Sequence, residues 1–231
     1  MNILVLNGSP NLDKGTTGTV TKTLEKGLNK TNPTITTKYA YKLNVNPCQG
    51  CFSCWSKTPG QCIHKDDVEQ LLPLVADSDI LILATPVYVD GMTGPLKTLL
   101  DRLIPLIKGR VELRDDHMRH LVRNNAKKGK IVLVSTSGFA EMDNFGPLVT
   151  HVKALSKNLG RAYAGEVLVP SAWYYKYDEK VLGPASELIE SAGEELVVKG
   201  MIPCGVSDEI GSLVSKDKVV ETLNSAYAKY E

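Results

Sequence analysis

The chain lacks several features that would settle its class at once. Its first residues, Met1-Asn2-Ile3-Leu4-Val5-Leu6-Asn7, contain neither a basic stretch nor an extended apolar core, which argues against a secretory leader. No apolar run approaches the roughly 18 residues that a membrane-spanning helix needs, so no membrane partner is expected. Charge of one sign is also missing: 27 Lys and Arg against 26 Asp and Glu give a net charge of +1, which excludes a strongly polybasic binder of nucleic acid. There is no internal repeat, low-complexity tract or linker. Neither a Walker A sequence nor Gly-x-Gly-x-x-Gly occurs, which removes the two commonest nucleotide fingerprints. What remains is an ordinary globular composition, 42% hydrophobic and 23% charged over 231 residues, with five unevenly placed cysteines. Cysteines clustered in a chain without a leader fit a reducing, cytoplasmic location and point to metal or redox chemistry rather than structural disulfides.

Short apolar runs alternate with helical periodicity. Ile3 to Leu6, Ile80 to Ala84, Ile131 to Val134 and Val167 to Val169 read as buried strands, and Thr34 to Tyr41 as a weaker one. Between them, Val20, Leu24 and Leu28 mark one helix, and Val68, Leu71, Leu72 and Val75 a second. Leu96 through Ile107 mark a third, which Pro105 should bend or end. Leu148, Val152, Leu155 and Leu159 mark a fourth; Leu188 to Val197 and Val219 to Ala228 suggest late helices. Alternating strands and helices with short loops predict an α/β fold, a doubly wound parallel sheet with helices on both faces. We expect a single domain over 1–231, with a core over about 1–170, a cysteine-rich loop at 44–65 and a helical C-terminal extension over about 178–231. Lys108 to Lys130 carries eight basic residues against three acids, and Asp178 to Glu231 eleven acids against five lysines. The plainer reading of both is solvated surface. The sharper one is that the basic segment meets an anionic nucleotide or the acidic tail of a neighbouring subunit.

Ligands of open parallel sheets bind beyond the carboxyl ends of the strands. Three loops lie there. Gly8 to Thr19 leaves a strand and enters a helix, with Ser9, Pro10, Thr16, Thr17, Gly18 and Thr19 offering hydroxyls and N–H groups suited to a phosphate, although an ordinary capped turn reads the same way. Thr85 to Lys97 carries Pro86, Tyr88 and Val89, with an aromatic face at the ligand edge, and Asp101-Arg102 reads as a structural polar pair. Ser137-Gly138-Phe139 permits close backbone approach and offers a ring.

Cys48, Cys51, Cys54 and Cys62 follow the spacing Cys-x2-Cys-x2-Cys-x7-Cys. Four thiolates so close can surround one centre, but the spacing does not name it: a [4Fe–4S] cluster and structural zinc both take four cysteines, and free redox-active thiols are the third reading. His64 is a solvated neighbour or a stray ligand. His117-x2-His120 fits a solvated helix face better than a chelate, and Cys204 reads as an incidental buried thiol. Trp55 is expected to pack over the cysteine loop. Trp173, Tyr174, Tyr175 and Tyr177 suit a subunit contact or a lid.

Asn7-Gly8-Ser9-Pro10, Thr85-Pro86-Val87-Tyr88, Gly91-Met92 through Leu100-Asp101-Arg102, and Ser137-Gly138-Phe139 appear in order at strand ends. This combination resembles the flavodoxin-like NAD(P)H-dependent FMN reductase family over residues 1 to 170. Pro47 to Cys54 and Cys62 to Asp67 bring it closest to the iron–sulfur flavoprotein branch. The resemblance implies a five-stranded sheet in the order 2-1-3-4-5. It also implies FMN, with Ser9 and Thr16 to Thr19 at its phosphate, Pro86, Tyr88 and Val89 along the ribityl chain and ring, and Ser137, Gly138 and Phe139 at the isoalloxazine. Asn11 follows Pro10 where the family often has Arg, so the phosphate contacts depart from its pattern. The implied activity is electron transfer from NAD(P)H or a reduced carrier, a small molecule or protein, to a quinone, flavin or similar acceptor. The implied metal centre is a [4Fe–4S] cluster on the four cysteines, and the implied assembly a homodimer or homotetramer. A zinc-loop binding module without redox function is the competing class.

Overall fold

The computed structural model describes residues 1–230. In chain order the elements are β1 (Asn2–Asn7), α1 (Thr16–Leu28), β2 (Thr34–Tyr39), α2 (Val68–Asp77), β3 (Ile80–Pro86), α3 (Gly94–Asp101), β4 (Ile107–Arg114), β5 (His117–Val122), β6 (Lys130–Thr136), α4 (Gly146–Asn158), β7 (Ala162–Val169), α5 (Ala172–Tyr177), α6 (Glu179–Lys199), α7 (Val206–Ser212) and α8 (Lys216–Tyr227). Five strands form one parallel sheet in the order β2-β1-β3-β6-β7, which is 2-1-3-4-5 when those strands alone are numbered, as the sequence led us to expect.

The pleat explains why the strands read as unbroken apolar runs. Leu4, Leu6, Leu81, Leu83, Ile131 and Leu133 point to one face, against Val68 and Leu71 of α2, Leu96 and Leu99 of α3, and Leu148 and Val152 of α4. Ile3, Val5, Ile80, Ile82, Val132 and Val134 point to the other, against Val20 and Leu24 of α1 and Ile189 and Leu196 of α6. With both faces covered, period-two polarity disappears. The stretch from 178 onward supplies α6, whose Val181, Ala185, Ile189, Ala192 and Leu196 are buried. α6 meets α1 backbone to backbone: a Cβ on Gly27 would lie 1.9 Å from the Glu190 carbonyl oxygen, and one on Gly193 2.3 Å from that of Leu24. Only glycine allows that approach.

Two departures follow from local chemistry. α3 ends at Asp101, and Pro105 sits in a 3-10 turn over Ile104–Leu106 rather than in a longer helix, because proline lacks the N–H that the helix would use. The segment that follows is the antiparallel hairpin β4–β5, so His117 and His120 lie on a strand and not on a helix. Its turn places Asp115 and Asp116 at φ 52° and 55°, the left-handed pair that closes a two-residue hairpin. Much of the basic segment is engaged within the chain. Arg119 donates to Asn158 Oδ1 at 2.6 Å, Arg123 to the carbonyls of Pro105 and Cys54, and Lys130 to that of Gly200, while Lys127 pairs with Asp77 and Asp79. No helix among the described residues is long and apolar enough to cross a membrane.

Candidate functional site

β1, β3 and β6 end at Asn7, Pro86 and Thr136, and the three loops beyond them meet. Each is fixed to the sheet by backbone bonds: Gly8 N–H to Ala84 at 2.7 Å, Val87 N–H to Thr136 at 2.8 Å and Ser137 N–H to Val169 at 3.0 Å. Asn7 is buried, and its Oδ1 accepts the Ser9 N–H at 2.8 Å, bending the chain directly after the strand. Gly15 then starts α1 with no side-chain cap. The N–H groups of Thr16, Thr17 and Gly18 therefore have no carbonyl four residues back and are free to meet an anion. A Cβ on Gly15 would lie 2.9 Å from Ser9 Oγ and 3.0 Å from Asn11 Cβ, so the cradle at the helix start needs glycine. Thr17 Oγ1 and Thr136 Oγ1 share a hydrogen bond of 2.8 Å that ties the helix to β6.

The outcome is a cavity of about 190 Å³. Of the residues expected there, Ser9, Pro10, Thr16, Thr17, Pro86, Tyr88, Ser137 and Gly138 line it together. Asn11, Gly15, Val87, Thr136 and Ala172 line it as well and were not among the expected ligand contacts. For Thr136 and Ala172 the missing signal is tertiary, since a strand residue and a distant helix start close the wall. Four expected residues do not line the cavity. A Cβ on Gly18 would come within 2.3 Å of the Leu12 carbonyl oxygen, so this glycine serves close packing within the loop. Thr19 turns its hydroxyl to the Gly15 carbonyl at 3.3 Å. Val89 is 99% exposed at the tip of a tight turn, and Phe139 is 61% exposed beside the cavity. The turn at Val89 is closed by reciprocal bonds between Tyr88 and Gly91, with Val89 and Asp90 at φ 47° and 61°. Of the aromatic run in and after α5, Tyr174 and Tyr175 are buried in the chain's own core, and Trp173 and Tyr177 are exposed.

The cysteine loop lies at the far end of α3. Its two ends are clasped: Asp67 Oδ2 accepts the Asn44 N–H at 2.7 Å, and Asp66 Oδ2 accepts the Asn46 N–H at 3.0 Å. Trp55 stacks on Phe52, packs at a tilt against His120 of the hairpin and donates its indole N–H to the Ile104 carbonyl, which fixes the loop to β5 and to the turn before β4. Cys48, Cys51, Cys54 and Cys62 all line one shallow recess whose cavity volume is only about 20 Å³. All five cysteines are free; Cys48, Cys51 and Cys204 are exposed and Cys54 is buried, so Cys204 is not the buried thiol expected. Burial pushes the Cys54 thiol up, and the neighbouring thiols of Cys62, Cys51 and Cys48 add to it. The Ser53 N–H holds the exposed Cys51 thiol down.

Arg102 closes the recess from below. Its side chain is 1% exposed and pairs with Asp66, whose side chain is fully buried, at 2.7 Å. Burial alone would raise the Asp66 carboxyl, but hydrogen bonds from Arg102 and from the Asn46 and Val68 N–H groups overcome it and hold it at about 2. The sequence marked Arg102 only as half of a polar pair with Asp101; in the structure Asp101 pairs with Lys97 at 2.6 Å and Arg102 reaches 36 residues back to Asp66. His64, read as solvated, keeps its Nε2 buried without a partner. Among the described residues no three His, Cys, Asp or Glu side chains form a group that could hold a metal ion. A zinc tetrahedron, with Zn–S bonds of about 2.3 Å, would need its sulfurs within about 4 Å of one another. The recess is therefore not a preformed single-ion site. Its donor set, four thiols and a buried guanidinium, has the chemistry to hold a larger, anionic centre.

The chain is similar to several known proteins. Over 110 residues the chain is 34% identical to an iron-sulfur flavoprotein of Methanocaldococcus jannaschii, covering 46% of this chain and 53% of that one. Over 105 residues it is 35% identical to an iron-sulfur flavoprotein of Clostridioides difficile, covering 44% and 45%. Over 61 residues it is 44% identical to one from Archaeoglobus fulgidus, covering 26% and 27%. The chain thus spans about half, or less, of the length of these relatives. Among solved structures, an FMN-dependent NADH-azoreductase of Bacillus anthracis in complex with FMN superposes with a TM-score of 0.64 at 17% identity, over 85% of this chain and 99% of that one. An NAD(P)H:quinone oxidoreductase of Methanothermobacter marburgensis superposes with a TM-score of 0.62 at 16% identity, over 85% and 96%. Those likenesses establish the shared flavodoxin-like fold. The model of the NADPH-dependent FMN reductase family matches residues 1–145, well over half of the chain, and the protein belongs to that family.

Proposed function

We propose that the protein is an FMN-dependent oxidoreductase that takes electrons from NAD(P)H or a reduced carrier and passes them to a quinone, a flavin or a similar acceptor. The observation that carries this reading is the cavity at three strand ends, where free N–H groups of α1 and the hydroxyls of Ser9, Thr16 and Thr17 converge. None of the residues lining it is basic. Such a cradle suits a phosphate that is neutralised by helix-end dipoles rather than by a cation. Bound there, FMN would supply both hydride and single-electron chemistry. The chain's own part is to bind and orient. Ser9, Thr16 and Thr17 hold the phosphate, Pro86 and Tyr88 line the ribityl chain, and Ser137 and Gly138 approach the ring through backbone. Phe139 and Val89 stand exposed beside it, where a second subunit of a homodimer or homotetramer would cover them.

A second reading, an electron carrier with a [4Fe–4S] cluster, is favoured by the recess that gathers four cysteines around a buried arginine. Zinc finds no such support, since the side chains do not converge on a single ion. Purification without oxygen separates these readings. A flavin spectrum with NAD(P)H:quinone turnover supports the reductase; flavin with iron and acid-labile sulfide adds the cluster; absence of flavin sinks both. The Ser9→Ala, Tyr88→Ala double variant should lose FMN, and full occupancy in that variant would overturn the placement.

A further inference from the structure

We infer that Arg102 positions Cys62 and sets the reduction potential of the centre held by Cys48, Cys51, Cys54 and Cys62, an inference that rests on the [4Fe–4S] reading above. The Arg102 guanidinium is almost fully committed to this region. Of its five N–H donors, two on Nη1 go to the Asn46 carbonyl at 2.5 Å and to Asp66 Oδ2 at 2.7 Å. Two on Nη2 go to Asp66 Oδ1 at 3.0 Å and to Cys62 Sγ at 3.2 Å. The fifth, on Nε, is buried and has no partner. A charged donor left unpaired in the interior is unfavourable, and a side chain 1% exposed cannot readily turn to water for relief. Arg102 lines the recess with the four cysteines and already donates to the sulfur of one of them, so its N–H groups bear on whatever those sulfurs hold.

The geometry also fixes the sign of the effect. Four thiolates around a [4Fe–4S] core make an anion, and reduction adds one more negative charge. Donors to the sulfurs favour the reduced state and raise the potential. Asp66 largely cancels the charge of Arg102, so the influence of the arginine runs through its N–H groups and through the pair's positive end, which faces sulfur. Lysine at 102 keeps the charge but cannot reach Asn46, Asp66 and Cys62 together, because it has no planar fork. Asparagine at 66 does the opposite: it leaves the arginine in place with its charge uncompensated.

The test uses the full-length protein prepared without oxygen, as wild type, Arg102→Lys and Asp66→Asn. Iron and acid-labile sulfide are measured, and the potentials of cluster and flavin are titrated by visible and EPR spectra. At a fixed potential, the reduced-to-oxidised ratio of the cluster should fall at least tenfold in Arg102→Lys, about 59 mV for one electron. It should rise in Asp66→Asn, while the flavin potential stays fixed in both. A merely structural pin predicts the same sign of change in both variants, or none. Shifts of one sign, unchanged potentials, or loss of iron from both variants would each overturn the inference. Wild-type protein that holds FMN but neither iron nor sulfide overturns the cluster reading itself and takes this inference with it.

Discussion

The cavity proposed for FMN and the cysteine recess lie at opposite ends of α3, an eight-residue helix about 12 Å long, and they are held by different physics. At its first end, Thr93 donates to the Gly8 carbonyl at 2.7 Å, and three loops are each bonded to a neighbouring strand. The sheet positions them many times over, so removing one side chain leaves the cavity standing. At the other end no strand of the main sheet takes part. A loop of more than twenty residues hangs on the clasp of Asn44 and Asn46 to Asp67 and Asp66, on Trp55, on Arg123 at the Cys54 carbonyl, and on one buried ion pair. The first site is rigid through redundancy; the second concentrates its order in few contacts. Under the proposed [4Fe–4S] reading this arrangement lets the loop form around the centre while Arg102 keeps the register of its end.

The sharpest way to break the contrast is to remove one member of the pair. Asp66→Ala leaves a buried guanidinium without its counter-charge and should destabilise the fold by about 3–5 kcal/mol. Chemical denaturation checks the magnitude, and limited proteolysis should find new cleavage within 44–67 before any in the flavin loops. Cleavage that starts in the flavin loops would reverse the comparison. The same pair makes the cysteine end sensitive to acid. Asp66 sits at about 2 when folded against an ordinary value of 3.8, so its contribution is complete above pH 4 and is lost as pH falls from about 4 to about 2. The shift corresponds to stability on the order of 2 kcal/mol. Denaturation midpoints measured across that window should fall in the wild type and stay flatter in Asp66→Asn.

At the redundant end the effect of one change is smaller. Thr17→Val removes a hydroxyl that is paired to Thr136 Oγ1 at 2.8 Å and lines the cavity. One neutral hydrogen bond contributes about 1 kcal/mol, so the fold should lose about 1 kcal/mol and FMN should bind roughly five- to tenfold more weakly. Fluorescence titration of the apoprotein with FMN measures this. A loss beyond a hundredfold would mean that the flavin end, too, hinges on single contacts.

The same difference governs what could be read from sequence. The sheet was legible because buried strands announce themselves as apolar runs, and its loops because small polar residues recur at three strand ends. Eight of the twelve expected flavin-site residues line one cavity for that reason. The other four lie off that wall, where local pattern and three-dimensional direction part. Gly18 and Thr19 continue into α1 and turn their contacts inward, and Val89 and Phe139 leave the wall for solvent. The hairpin β4–β5 was hidden because its turn is Asp-Asp rather than Asn-Gly, and because the segment was read for its net charge while the alternation of Val111 and Leu113 with Arg110, Glu112 and Arg114 went unused. Arg102–Asp66 was hidden for a plainer reason: nothing in a linear reading connects residues 36 apart across a loop. The cysteine spacing was visible, and the group that organises it was not.

The smallest expected effect tests whether the flavin end stores strain. Val89 holds φ 47°, a left-handed conformation that a β-branched residue adopts at a cost, and its side chain is 99% exposed, so no contact within the chain compensates. Glycine relieves the backbone but adds conformational freedom to the unfolded chain. The balance predicts that Val89→Gly stabilises the apoprotein by less than about 1 kcal/mol. If the strained turn is kept for the cofactor, FMN affinity should fall in the same variant by roughly two- to threefold, under about 1 kcal/mol. Opposite movements of stability and affinity would show that this end, redundant in its hydrogen bonds, still spends backbone strain on its ligand. Parallel movements, or none, would make the turn a simple connection between Pro86 and α3.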